Sequence, residues 1–161
     1  MESGSIVHLK YRTLFIFNLI EFSEGNCKFF CKVFFADKFH SLLKTIKYNE
    51  IIIQSLSQCN KWMSGGGKSG SIFFKSSDNM IIVKQVTKYE LESFIKFGSS
   101  YFEFMSQRLF NCLPSVLAKI YGIYKIGYRN STTGKSTKMA VVVMENLFYR
   151  KDITQVIMKL M

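Results

Sequence analysis

Gly65, Gly66, Gly67, Lys68, Ser69 and Gly70 form a stretch whose backbone N–H groups can approach phosphate oxygens without obstruction from side chains. It lies in SGGGKSGSIFF, and two charged residues follow it: Lys84 in MIIVKQV and Glu90 in TKYELES. Three chemistries suit such a stretch. A linker needs a drift toward disordered composition, but here the glycines run straight into a β-prone segment. A Walker-type phosphate loop needs G-x-x-x-x-G-K-[ST] between a strand and a helix. Trp62 and Arg129 stand where the first glycine belongs in the two Gly-Lys-Ser matches, at Gly67 and at Gly134. The third chemistry is a nucleotide lid, in which a glycine turn joins two antiparallel strands. A lysine on a following strand then neutralises phosphate charge, and a carboxylate on the next helix holds that lysine.

The elements around these residues follow the third order. SIFFK and MIIVKQV flank Ser76-Ser77-Asp78-Asn79, which predicts a hairpin over Ser71–Lys75 and Met80–Val86. Lys84 there either faces solvent on an amphipathic strand or meets an anion, since an unpaired charge is costly to bury. Thr87 and Glu90 make a capping box. Leu91, Phe94, Ile95, Phe102, Met105 and Leu109 then form one apolar stripe at helical spacing, weakened but not stopped at Gly98. On that helix Glu90 shares an edge with Phe97 and Tyr101, whereas Glu92 sits beside Lys96 and Glu103. Glu90 is therefore the expected partner of Lys84. Its two tasks compete: a side chain that caps its own helix is not expected also to hold the lysine.

Upstream, Leu14–Phe22 and Lys28–Phe35 read as strands. Asp37 reads as the cap of a helix through Phe39, Leu42, Leu43 and Ile46, and a second short helix covers Ile51–Leu56. Downstream of Pro114, VLAKIYGIYKIGY and KMAVVVMENLF read as a second hairpin joined by RNSTTGKST.

The chain has 161 residues and a net charge of +11, of which nine units lie after residue 60. Such a surface attracts nucleotides, nucleic acids or anionic lipids. No recognition-helix or aromatic RNA-binding pattern is present, so nucleic acid is not expected as a partner. No apolar run reaches the ~18 residues of a membrane span, and the N-terminus does not read as a signal peptide. Cys27, Cys31, Cys59 and Cys112 lack paired spacing and have only His8 and His40 to help them. They read as reduced thiols of a cytoplasmic protein, with no metal site.

With these residues quoted, the sequence resembles the catalytic domain of PIKfyve-type phosphatidylinositol-3-phosphate 5-kinases. GGKSGSIFF, IVKQV, FGSSYFEFM, LAKIYGIYKIGYRNS and VVVMENLFYRK carry the likeness, with FSEGNCKFFCKVFFADKFHSLL and SLSQCNKW before them. The resemblance implies an α+β fold, a kinase-like N-lobe with a twisted antiparallel sheet and a long helix packed on one face. It also implies a division into an extension (residues 1–21), the N-lobe (22–156) and an unrelated tail (157–161). Gly65 to Gly70 become the ATP lid, Lys84 the ATP-binding lysine and Glu90 its partner. Glu145, Asn146 and Leu147, following Met144, become the hinge that meets adenine through its backbone. The implied activity is ATP-dependent phosphorylation of phosphatidylinositol 3-phosphate at the 5-position, on endosomal membranes. After ENLFYRK the family's Asp-Leu-Lys-Gly-Ser segment does not follow, so a C-terminally truncated copy is expected. The C-lobe, with the ligands for Mg2+, is then missing, the fragment is inactive, and the surface where that lobe docks is apolar. The alternative is a non-catalytic basic module that binds anionic phosphoinositide membranes.

Overall fold

The computed structural model describes residues 8–13, 17–62, 70–115 and 117–149. Among the described residues, eight strands build one sheet: β1 His8–Thr13, β2 Phe17–Glu24, β3 Cys27–Phe34, β4 Cys59–Trp62, β5 Phe73–Ser76, β6 Ile81–Val86, β7 Ile120–Asn130 and β8 Ser136–Glu145. Their order is β1-β2-β3-β7-β8-β6-β5-β4, and every neighbouring pair is antiparallel. Three helices complete the α+β fold: α1 Ala36–Thr45, α2 Asn49–Ser57 and α3 Lys88–Phe110. The architecture is that of a kinase-like N-lobe, as the sequence leads one to expect. Pairing of β1 with β2 brings residues upstream of Phe22 into the same sheet.

The capping box at Thr87 starts α3, and its apolar stripe is buried as expected. Leu91, Phe94, Phe102 and Met105 pack with Phe34 of β3, Ile123 of β7, and Phe39 and Leu42 of α1. Val86, Ala140 and Val142 line the same side of the sheet. Gly98 does not interrupt the helix. A Cβ there would stand 2.8 Å from the Phe35 ring, so glycine lets α3 approach the start of α1. Asp37 is not the cap of α1: Phe35 holds the cap position in left-handed conformation, and Asp37 sits in the first turn, where its charge suits the helix dipole.

The fold expected from the sequence sets the smaller helices of residues 37–57 beside the long one, but they are not both beside α3. Side chains alternate across a strand, and Ile52 of α2 is buried against Ile81, Tyr121 and Val143, on the opposite face from Val142 and Ile123. α1 contributes to both sides, since Leu43 and Ile46 join the second cluster.

Beyond α3 the sheet runs on as a two-faced extension. Lys28, Lys32, Lys125, Arg129 and Lys138 share one face by register, with Glu21 among them. Phe22, Phe29, Cys31, Ile126, Tyr128 and Met139 line an apolar cavity of about 310 Å3 at the other. Gly127 permits this close stacking, because a Cβ there would meet the Thr137 carbonyl oxygen at 2.7 Å and the Phe30 ring at 2.5 Å. Gly127→Ala is expected to destabilise the fold by about 1–3 kcal/mol, read by chemical denaturation. Wild-type stability in that variant would mean that β7 and β8 part without cost.

Candidate functional site

Lys84 sits in the middle of β6, between Phe73 of β5 and Val142 of β8. Two residues back, Ile82 pairs with Met144, so Phe73, Ile82, Lys84, Val142 and Met144 share one half-buried face. β4 pairs antiparallel with β5, and Trp62 lies opposite Phe73. The glycine stretch therefore connects two antiparallel strands, and its base stands one strand away from Lys84. Gly70 has left-handed φ of +62°, a conformation that suits glycine. Gly65, Gly66, Gly67, Lys68 and Ser69 lie outside the described residues, as do residues 157–161.

Glu90 performs both tasks that the sequence sets in competition. Its Oε1 accepts from Lys84 Nζ at 2.9 Å, while its Oε2 accepts from the Thr87 N–H at 2.7 Å. The Thr87 hydroxyl in turn accepts the Glu90 N–H at 3.1 Å. A carboxylate has two oxygens, and Glu90 lies only six positions after Lys84, so one side chain closes the box and seats the lysine. The lysine's hydrogen bond, then the Thr87 N–H, hold the Glu90 carboxyl below its ordinary pKa, against a smaller opposing effect of burial. The ionised form is the bonded one, so this contribution is complete above the ordinary glutamate value of about 4.3 and is lost as pH falls through the lowered one. Hydrogen exchange should show the first turn of α3 losing protection as pH falls below the ordinary glutamate value. Glu90→Gln should flatten that dependence, and an unchanged profile in the variant would assign the transition to another group.

The end of β8 is held from both sides. The Glu145 N–H donates to the Lys119 carbonyl at 2.8 Å, and the Asn146 N–H to the Met80 carbonyl at 3.0 Å. Buried Asn146 donates from Nδ2 to the Asn79 carbonyl at 2.6 Å and accepts the Phe148 N–H on Oδ1 at 3.1 Å. Its carbonyl accepts the Tyr149 N–H at 2.9 Å. Of the five N–H groups from residue 145 to residue 149, Leu147 alone has no partner among the described residues. The turn that Asn146 grips is itself anchored by Asp78, which accepts from the hydroxyls of Ser55 and Ser76 and from the Met80 N–H. Burial opposes ionisation of Asp78, and these donors outweigh it, leaving the pKa lowered.

Lys119 is the residue that sequence reasoning missed. Its Nζ lies 3.1 and 3.0 Å from the two Glu145 oxygens, and its N–H donates to Oε2 at 3.3 Å. Only its place within LAKIYGIY marked it. Burial, with the charge of Glu145 behind it, pushes the pKa of the nearby Tyr121 hydroxyl well up. Leu117, Leu147 and Phe148 are exposed around this pair.

A lysine fixed by a helix carboxylate, one strand from the base of a glycine connection and on an apolar wall that ends near an N–H with no partner among the described residues, is an arrangement that can take a nucleotide. The model of the family described as Phosphatidylinositol-4-phosphate 5-Kinase matches residues 54–157. The chain belongs to this family. Among curated relatives, this lipid-kinase-family chain is 45% identical over 157 residues to the 1-phosphatidylinositol 3-phosphate 5-kinase FAB1 of Saccharomyces cerevisiae, which covers 97% of the chain and 6% of that protein. It is 39% identical over 139 residues to the 1-phosphatidylinositol 3-phosphate 5-kinase of Homo sapiens, covering 85% of the chain and 7% of that protein. It is 43% identical over 135 residues to the putative 1-phosphatidylinositol-3-phosphate 5-kinase FAB1C of Arabidopsis thaliana, covering 83% and 8%. The chain thus spans less than a tenth of the length of these relatives. Among the described residues, no helix is long and apolar enough to cross a membrane.

Proposed function

We propose that this chain forms the nucleotide-facing wall of an ATP-dependent lipid kinase that phosphorylates phosphatidylinositol 3-phosphate at the 5-position of its ring. The observation that carries the proposal is the Lys84–Glu90 pair, 2.9 Å long and built into the cap of α3 beside the glycine connection. The names of the relatives supply the substrate. Lys84 Nζ attracts the ATP phosphates, and Gly65, Gly66, Gly67, Lys68, Ser69 and Gly70 cover them with backbone N–H groups. Ile82 and Met144 give the base an apolar bed. Leu147 offers it an N–H, while Glu145 and Asn146 hold the hinge in place. Mg2+, when bound, neutralises charge on the phosphates, and its ligands are expected outside these residues. The place of work is the cytoplasmic face of endosomal membranes, with the protein held there peripherally.

A second reading, a basic module that binds anionic phosphoinositide membranes without chemistry, is favoured by the five cations that share one sheet face. A vesicle surface attracts such a face, by about 1 kcal/mol for each lysine or arginine near it. The deciding measurement uses a protein of the relatives' length and vesicles that contain phosphatidylinositol 3-phosphate. Transfer of labelled phosphate from ATP to the lipid supports the kinase. Vesicle binding without transfer supports the module.

A further inference from the structure

We propose that Lys119 is a positioning residue for adenine recognition: by clasping Glu145 it sets where the hinge, and with it the Leu147 N–H, stands relative to Lys84. The inference rests on the nucleotide reading above and extends it to a residue that makes no contact with nucleotide. The last regular pair between β7 and β8 is Ile120 with Met144, and a bulge follows at once, between Ile120 and Gly122. A strand end beside a bulge is a poor support, since the ladder there is locally disrupted. On the β6 side the ladder still holds this end, through Ile81 paired with Glu145; on the β7 side, beyond the bulge, three bonds between Lys119 and the Glu145 carboxylate, with the Glu145 N–H on the Lys119 carbonyl, brace it. About a third of each side chain is exposed, 33% for Lys119 and 28% for Glu145, so the pair is only partly screened by water.

The clasp is tied to the other end of the site. Tyr101 of α3 accepts the Ile120 N–H on its hydroxyl at 2.8 Å, and Ile120 is the neighbour of Lys119. The helix that seats Lys84 through Glu90 therefore also grips the strand end that holds the hinge. The separation between the phosphate end and the base end of the site then depends on bonded contacts as well as on the sheet. Adenine hydrogen bonds fall off steeply with misplacement, so loosening the clasp should weaken base recognition and leave phosphate attraction alone.

Two probes separate these ends: adenosine for the base end and inorganic tripolyphosphate for the phosphate end, each titrated into the 161-residue chain by ligand-observed NMR. Lys119→Met is expected to weaken adenosine binding about tenfold, the effect of losing the one hydrogen bond between the base and the Leu147 N–H, with tripolyphosphate unchanged. Glu145→Gln should do the same, Lys119→Arg should restore binding, and Lys84→Met should show the reverse pattern. Thermal midpoints are measured on every variant. Wild-type adenosine affinity in Lys119→Met overturns the proposal. So does equal loss of both probes with a lowered midpoint, which is what a merely structural role produces. If the wild-type chain binds neither probe when each is titrated well past the roughly millimolar range expected for ATP itself, the nucleotide reading falls and takes this proposal with it.

Discussion

Lys84→Met, carried in a protein of the relatives' length, is expected to lower lipid phosphorylation by about 10²–10³-fold or more, a loss typical of removing one preorganised charge-stabilising group. Phosphoryl transfer spreads negative charge over the equatorial oxygens, and catalysis consists mainly of positioning and stabilising that charge. On the proposed reading Lys84 supplies that charge: its Nζ is held at 2.9 Å by Glu90 on a half-buried face, which Lys75 shares by register. Methionine keeps the length of the aliphatic stem and removes only the charge. The fold should survive, since a partly exposed pair of this kind contributes only about 0–1 kcal/mol. The second oxygen of Glu90 also still closes the capping box at Thr87. The measurement is labelled phosphate transferred from ATP to phosphatidylinositol 3-phosphate vesicles, alongside circular dichroism. Full turnover by a folded variant would refute the role given to Lys84.

The 161-residue chain by itself is expected to transfer no phosphate above background. Transfer requires groups that bind metal on the β- and γ-phosphates and a group that orients the attacking hydroxyl. The carboxylates nearest the site are committed elsewhere: Glu90 to Lys84 and Thr87, Glu92 to Lys88, and Glu145 to Lys119. Phe73, Ile82, Lys84, Val142 and Met144 form a half-buried wall on one face of the sheet. Phosphates on a single wall stay hydrated, and water screens their attraction to Lys84. ATP affinity should accordingly be roughly millimolar, or about −4 kcal/mol. Turnover by the purified chain that vanishes in Lys84→Met would show that these residues hold more of the machinery than their committed carboxylates indicate.

Local signals were legible in the sequence. The capping box at Thr87 and Glu90, the stripe from Leu91 to Leu109, and the hairpins that join β5 to β6 and β7 to β8 all depend on residues a few positions apart. Lys84 and Glu90 could be named for the same reason, since a strand end and one helical turn bring them together. Where the outcome turned on single atoms, the sequence left it open: only the structure showed that one carboxylate serves both Thr87 and Lys84.

The longer-range arrangement needed the fold. β3 meets β7 across pairings such as Cys27 with Asn130, 103 residues apart, and β6 lies against β8 rather than beside β7. Register between distant strands decides which face each side chain takes, and a one-residue slip would exchange the faces. That register put Lys28, Lys32, Lys125, Arg129 and Lys138 together and set α2 on the face opposite α3. It also brought Lys119 to Glu145, and it used up the N–H groups on either side of Leu147. Composition and local spacing determined which residues could attract a phosphate and which helix would hold the lysine. The pairing of distant strands, whose closure is worthwhile only once both faces are buried together, decided where the rest of the site stands.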